Sequence, residues 1–163
     1  MEIRKMRADD WEQVSKIYAD GIAGRNATFE TVVPSWEYWD EKHLDVARLV
    51  AEENGEILGW VALGAVSHRE VYRGVTENSI YIANDAQGKG IGSALMQAMI
   101  DDSEAAGIWM ILCTTFEENV ASIGLHKKFG FRMIGYRERI AKLDGIWRNT
   151  VMLERRSPVV GND

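Results

Sequence analysis

The sequence predicts an α/β domain with a mixed, partly parallel central sheet flanked by helices. Strand-like and helix-like apolar patterns alternate along the 163 residues. An Asn54-Gly55 pair joins two strand-like runs, a strong signal for a two-residue hairpin. Between them and the C-terminal part, an apolar strand runs into a glycine-rich loop and then a helix, the pattern of a partly parallel sheet.

Taken in order, residues 2–6 read as a short strand. Asp10 sets up the first helix, with Gln13 three residues on as in a capping box, and Trp11, Val14, Ile17 and Tyr18 follow at helical spacing. Gly21 and Gly24 punctuate its exit, and residues 26–34 form a loop. Ser35 caps a second helix whose apolar stripe is Trp36, Trp39, His43, Val46 and Ala47. The hairpin joins strands 48–53 and 56–66, a polar loop covers 67–75, and a strand follows near 77–83. A glycine-rich loop at 87–92 opens a helix from about Ile91 to Ala106, which Gly107 ends. Residues 108–115 form a buried strand, and Asn119 caps a helix that reaches Phe129 and stops at Gly130. Two strands joined at Asp144-Gly145 close the domain.

This length suits one domain, expected over residues 2–154, with 155–163 as a loose tail. No apolar run approaches the ~20 residues a bilayer requires, and Met1-Glu2-Ile3-Arg4-Lys5 has no apolar stretch behind its basic residues, so no secretion signal is read there. A single cysteine, Cys113, cannot form an internal disulfide, which fits a reducing cytoplasm. Nineteen basic against twenty-five acidic residues, a net charge of −6, argue against a nucleic-acid partner, which would want the reverse balance.

The informative stretch is Ser79-Ile-Tyr81-Ile82-Ala83-Asn84-Asp-Ala-Gln87-Gly88-Lys89-Gly90-Ile91-Gly92. Glycines let backbone approach a ligand and adopt positive φ. Amides left unpaired where a helix opens make a concave anion site, suited to a pyrophosphate. The spacing matches neither a Walker loop nor a dinucleotide fingerprint. A turn shaped only by packing is the bland alternative.

Gln87-x-x-Gly90-x-Gly92 after an apolar strand resembles the coenzyme A signature of the GNAT family of N-acetyltransferases. Asn119-Val-Ala121-Ser122 through Phe129-Gly130-Phe131 resembles that family's Asn-x-x-Ala…Gly-Phe helix, and residues 1–18 resemble its opening strand and helix. The likeness covers about residues 2–154. Within the family, Val71-Tyr72-Arg73-Gly74-Val75-Thr76-Glu77-Asn78-Ser79-Ile80-Tyr81-Ile82 looks like the matching stretch of phosphinothricin and methionine-sulfoximine N-acetyltransferases. Thr28-Phe29-Glu30 and Gly145-x-Trp147 also fit. Val75-Thr76 inverts the usual order, and Asn149 stands where an aspartate is common.

The resemblance implies a GNAT-like fold, acetyl-CoA as co-substrate, a small amino-acid-like amine as acceptor, no metal, and a homodimer. It assigns the thioester carbonyl and pantetheine arm to backbone amides around Ile82, Ala83 and Asn84. The pyrophosphate falls to Gln87, Gly88, Lys89, Gly90, Ile91, Gly92, Ser93 and Ala94, and Asn119 and Ser122 contact the pantetheine. Lys127 and Lys128 could balance the nucleotide phosphates.

Amine acetylation needs a neutral amine, correct placement and a donor for the developing oxyanion. Glu77 is the candidate base; its competing reading is a solvated strand-end glutamate. His126 is the candidate donor to the leaving thiolate, against a simply packed histidine. Cys113, mid-strand in an apolar run, reads as a buried inert thiol rather than an acyl carrier. Arg73 could pair with a carboxylate or phosphinate, with Phe29, Tyr72, Tyr81 and Trp147 around the acceptor. Two other functions stay open: acetylation of a different amine, such as a polyamine, antibiotic or protein terminus, and a non-catalytic coenzyme A-binding sensor.

Overall fold

A computed structural model describes residues 1–163. Its elements are β1 (Glu2–Lys5), α1 (Trp11–Ala23), α2 (Trp36–Lys42), β2 (Leu49–Glu53), β3 (Glu56–Ala65), β4 (Val75–Ile82), α3 (Ile91–Ala105), β5 (Met110–Phe116), α4 (Val120–Lys128), β6 (Arg132–Leu143) and β7 (Ile146–Arg156). The order is the one the sequence predicts. All seven strands form one sheet in the order β1-β2-β3-β4-β5-β7-β6. Every neighbouring pair is antiparallel except β4 and β5, which the α3 crossover makes parallel.

Strand β3 shows how the layers form. Val61 and Leu63 join a cluster with Leu95, Met96 and Met99 of α3, while Trp60 and Ala62 join Val14, Ile17 and Trp39 of α1 and α2. Alternate residues of a strand face opposite sides of a sheet, so α3 covers one face and α1 with α2 the other. No helix is long and apolar enough to cross a membrane.

Four local expectations change. Asp10 does not cap α1; it ends a short 3-10 turn, and its carboxylate accepts from the Arg7 amide at 2.7 Å and from both Arg4 Nη atoms at 2.8 Å. That bidentate pair holds the Asp10 carboxyl below the usual carboxylate range. Gln13 reaches across to β3 instead, donating to Gly55 O and accepting from the Ile57 amide. Gly21 lies inside α1, where a Cβ would come within 2.5 Å of the Tyr81 ring, so its role is close approach rather than an exit. Helix α2 stops at Lys42, one residue before His43, which stacks on Trp39 with ring centroids 4.2 Å apart. At the other end, β7 continues to Arg156, past the expected edge at 154. Ser157 beyond it is buried, donates to Glu104 Oε1 at 2.8 Å and accepts the Val159 and Val160 amides, so these residues are held rather than loose.

Candidate functional site

The rungs between β4 and β5 run only from Val75–Met110 to Glu77–Leu112. Past them, residues 78–82 and 113–116 have no partner across the gap, and the two strands part. The opening is a cleft of about 790 Å³, lined by both strands, the glycine turn, α4 and the loop after α1. That size lies within the usual range for small-molecule and cofactor sites.

At one end lies the glycine turn. Gly88 and Gly90 adopt φ of +74° and +81°, and a Cβ built on either would meet nothing within 4 Å. The glycines therefore serve the backbone turn and leave its concave side open. Helix α3 has no side-chain cap, and the amides of Gly88, Lys89, Gly90, Ile91, Gly92 and Ser93 find no acceptor in the chain. Unpaired amides at a helix opening, beside the positive end of its dipole, fit the pyrophosphate of coenzyme A. Three expected contributors differ. The Ala94 amide is already bonded to Gly90 O at 3.1 Å. Gly92 is explained by packing, since a Cβ there would lie 3.3 Å from Leu125 Cδ2. Lys89 lines a smaller separate cavity beside Glu53, Glu56 and Asp85 rather than the main cleft.

Along the cleft, Ile82 and Asn84 line the β4 wall, whereas the Ala83 amide is committed to Leu58 O at 2.9 Å. On the opposite wall Asn119 caps α4, its Oδ1 accepting the Ser122 amide at 3.2 Å, while its Nδ2 donates to nothing in the chain. Lys128 donates to Ser93 Oγ at 3.0 Å, which ties α4 to the glycine turn.

Glu77 sits on the last rung before the strands part. It is exposed, lines the cleft, and has neither an ion-pair nor a hydrogen-bond partner. Beside it Cys113 is buried; burial, then the Glu77 charge, pushes its thiol up to about 12. A thiol held protonated is a poor nucleophile, so acyl transfer through Cys113 is disfavoured.

His126 also lines the cleft but has no free donor. Its ring is 1% exposed and Nδ1 lies 2.7 Å from Ser122 O. A carbonyl only accepts, so Nδ1 carries the proton, and Nε2 then accepts from Asn78 Nδ2 at 2.9 Å. Burial lowers the ring's pKa and keeps it neutral. The expected general acid is therefore a fully engaged residue that fixes Asn78 and the last turn of α4.

The far end is aromatic. Tyr81 stacks on Trp60 at 4.9 Å and meets Tyr18 at 5.0 Å, and Phe29 meets Phe116 edge-on at 4.8 Å. Burial pushes the Tyr18 hydroxyl up to about 12 and the Tyr81 hydroxyl higher still, so both remain neutral donors. Phe29, Glu77 and Tyr81 are thus brought together as expected. Tyr72 and Arg73 are not: both are exposed outside the cleft, with Arg73 over Trp109 and paired to Glu70 at 3.7 Å. Trp147 is also outside, under Arg139 and Lys142.

Tyr18, Thr28, Glu30, Asn78, Phe116 and Thr150 line the cleft and escaped the sequence reading of the site. A signal existed for Tyr18, which lies three residues before Gly21 and so shares its helix face. None existed for Thr150, because which strand follows β5 in the sheet is a long-range pairing.

A family model described as "Acetyltransferase (GNAT) family" matches residues 5–131. The chain is 34% identical to a phosphinothricin N-acetyltransferase of Alcaligenes faecalis, over 94% of this chain and 81% of that one. It is 29% identical to an L-methionine sulfoximine/L-methionine sulfone acetyltransferase of Pseudomonas aeruginosa, covering 93% and 92%. Its structure is similar to that of a phosphinothricin acetyltransferase from Sinorhizobium meliloti in complex with acetyl-CoA, with a TM-score of 0.89 and 26% identity over 99% of this chain and 91% of that one.

Proposed function

The chain belongs to the acetyltransferase (GNAT) family and is an acetyl-CoA-dependent N-acetyltransferase; from that premise we propose that its acceptor is a small amino-acid-like amine of the phosphinothricin or methionine sulfoximine type. The observation that carries this reading is one continuous cleft with unpaired helix-opening amides at one end and an unpaired carboxylate, Glu77, facing aromatic walls at the other. The names of the relatives support the acceptor class.

The amides of Gly88 to Ser93 hold the pyrophosphate, while Ile82, Asn84, Asn119 and Ser122 guide the pantetheine. Bound acetyl-CoA supplies the acyl group as a thioester. An α-amino group has a reference pKa of ~7.7–8.0, so the Glu77 carboxylate, directly or through one water, takes its proton near neutral pH. The neutral amine is held against the β4 wall, and a backbone N–H of the parted strand polarises the carbonyl. With His126 Nδ1 committed to Ser122 O, the Ser122 hydroxyl is the α4-side donor that faces the departing thiolate.

Free-thiol release from acetyl-CoA tests the reading. Methionine sulfoximine should support it and spermidine should not. In Glu77→Gln, kcat should fall by roughly 10²–10⁴, the usual weight of a general base, while the thermal shift with acetyl-CoA stays as in the wild type. Undiminished turnover in that variant removes Glu77 as the base.

A further inference from the structure

The acceptor end of the cleft is one-sided in charge. Of all the residues lining the cleft, Glu30 and Glu77 are the only ionised ones; no lysine or arginine is among them. Glu77 is accounted for by the chemistry, and Glu30 is not. We propose that Glu30 determines acceptor specificity by excluding a second anionic group, so that amines whose remaining polar group is neutral or cationic are preferred over those bearing phosphinate or a distal carboxylate.

The placement of Glu30 supports this. Its amide donates to Thr28 Oγ1 at 3.1 Å, which turns the loop after α1 into the cleft, and its carboxylate has no ion-pair partner. The charge is close enough to Tyr18 and Tyr81 to add to the upward push on both hydroxyls. The arginines nearby in the sequence or fold are engaged elsewhere. Arg25 pairs with Asp144 at 3.2 Å. Arg148 lies over Phe116 at 4.0 Å and donates to Arg25 O, Asn26 Oδ1 and Glu118. The aromatic faces of Tyr18 and Tyr81 favour a cation or N–H group over an anion. Thr150, 4% exposed, lines the same cleft, and its hydroxyl has no partner in the chain. A buried hydroxyl of this kind is completed by a bound polar group.

The inference rests on the amino-acid acceptor reading only for its first pair of substrates. Methionine sulfoximine and phosphinothricin share the α-amino acid head and differ in a neutral N–H-bearing against an anionic end. The second pair, 1,4-diaminobutane and 4-aminobutanoate, makes the same comparison without that head. Wild type should favour the non-anionic member of whichever pairs it acetylates at least tenfold in kcat/KM, and Glu30→Gln should shrink that preference about tenfold. Its thermal shift with acetyl-CoA should not change, which shows that fold and cofactor site are intact. Failure of both amino acids with success of the diamine pair sinks the acceptor reading and leaves the inference standing. Preferences unmoved by Glu30→Gln, a wild-type preference for the anionic members, or no turnover with any of the four overturns it.

Discussion

The histidine at position 126 shows what a residue type alone cannot say. Imidazole at a cofactor-facing helix is a reasonable proton donor until its partners are known; here a carbonyl at 2.7 Å and an amide at 2.9 Å use both nitrogens. His43 is similar, buried against Trp39 with its Nδ1 2.7 Å from Trp39 O. Burial lowers the pKa of both rings below their ordinary value. On acidification the unfolded chain therefore takes up these protons first, so the stability they lend is whole above about pH 6.5 and is lost as pH falls below it. The melting temperature should be flat near pH 7–8 and decline below about 6.5. His126→Gln, which cannot charge, should have a lower plateau but a shallower decline. An equally steep decline in the variant would place the acid sensitivity elsewhere. Glu77 and Cys113 were legible because one needed only an exposed strand end and the other only an apolar run; the partners of His126 come from residues 48 positions away and from its own helix.

At the scale of elements, the glycine turn was legible because its chemistry is local: positive φ and unpaired amides follow from a few consecutive residues. The parting of β4 and β5 was not. Both strands were recognised, yet nothing in their apolar patterns says that pairing stops after three rungs, and that stop creates the cleft. The same gap explains Tyr72 and Arg73, adjacent in sequence to β4 but on the loop before its paired end. The turn itself is testable by contrast. Gly90→Val forces a β-branched residue to φ +81° and puts its side chain on the open side of the amides. Gly55→Val makes the same demand at φ +85°, in the β2–β3 hairpin far from the cleft, with nothing within 4 Å. Each should cost roughly 1–2 kcal/mol of stability from the left-handed backbone. Only Gly90→Val should weaken acetyl-CoA binding, by tenfold or more in Kd measured calorimetrically. Equal affinities in the two variants would show that the turn does not hold the cofactor.

At the scale of the whole molecule, a chain of net charge −6 binds an anionic carrier. Long-range attraction does not account for that; fixed dipoles do, because amides at a helix opening act within a turn and do not depend on net charge. The cleft walls β4 and β5 are strands of a single sheet over the core of Leu63, Leu95 and Met99, so binding there is coupled to the folding of the domain as a unit. A ligand at a hundredfold excess over its Kd adds about 2.7 kcal/mol to the folded state. For a domain of this size each kcal/mol moves the midpoint by roughly 2–4 °C, so acetyl-CoA should raise the melting temperature by about 5–11 °C in one sharpened transition. Because the holding groups are mainly uncharged amides, the shift should survive moderate salt, unlike one built on surface lysines, which screening weakens within ~8–10 Å. A scan with and without acetyl-CoA at low and at 0.3 M salt decides it: no shift at either salt leaves the amide cradle without a ligand, and a shift abolished by salt assigns the binding to Lys89, Lys127 and Lys128 instead.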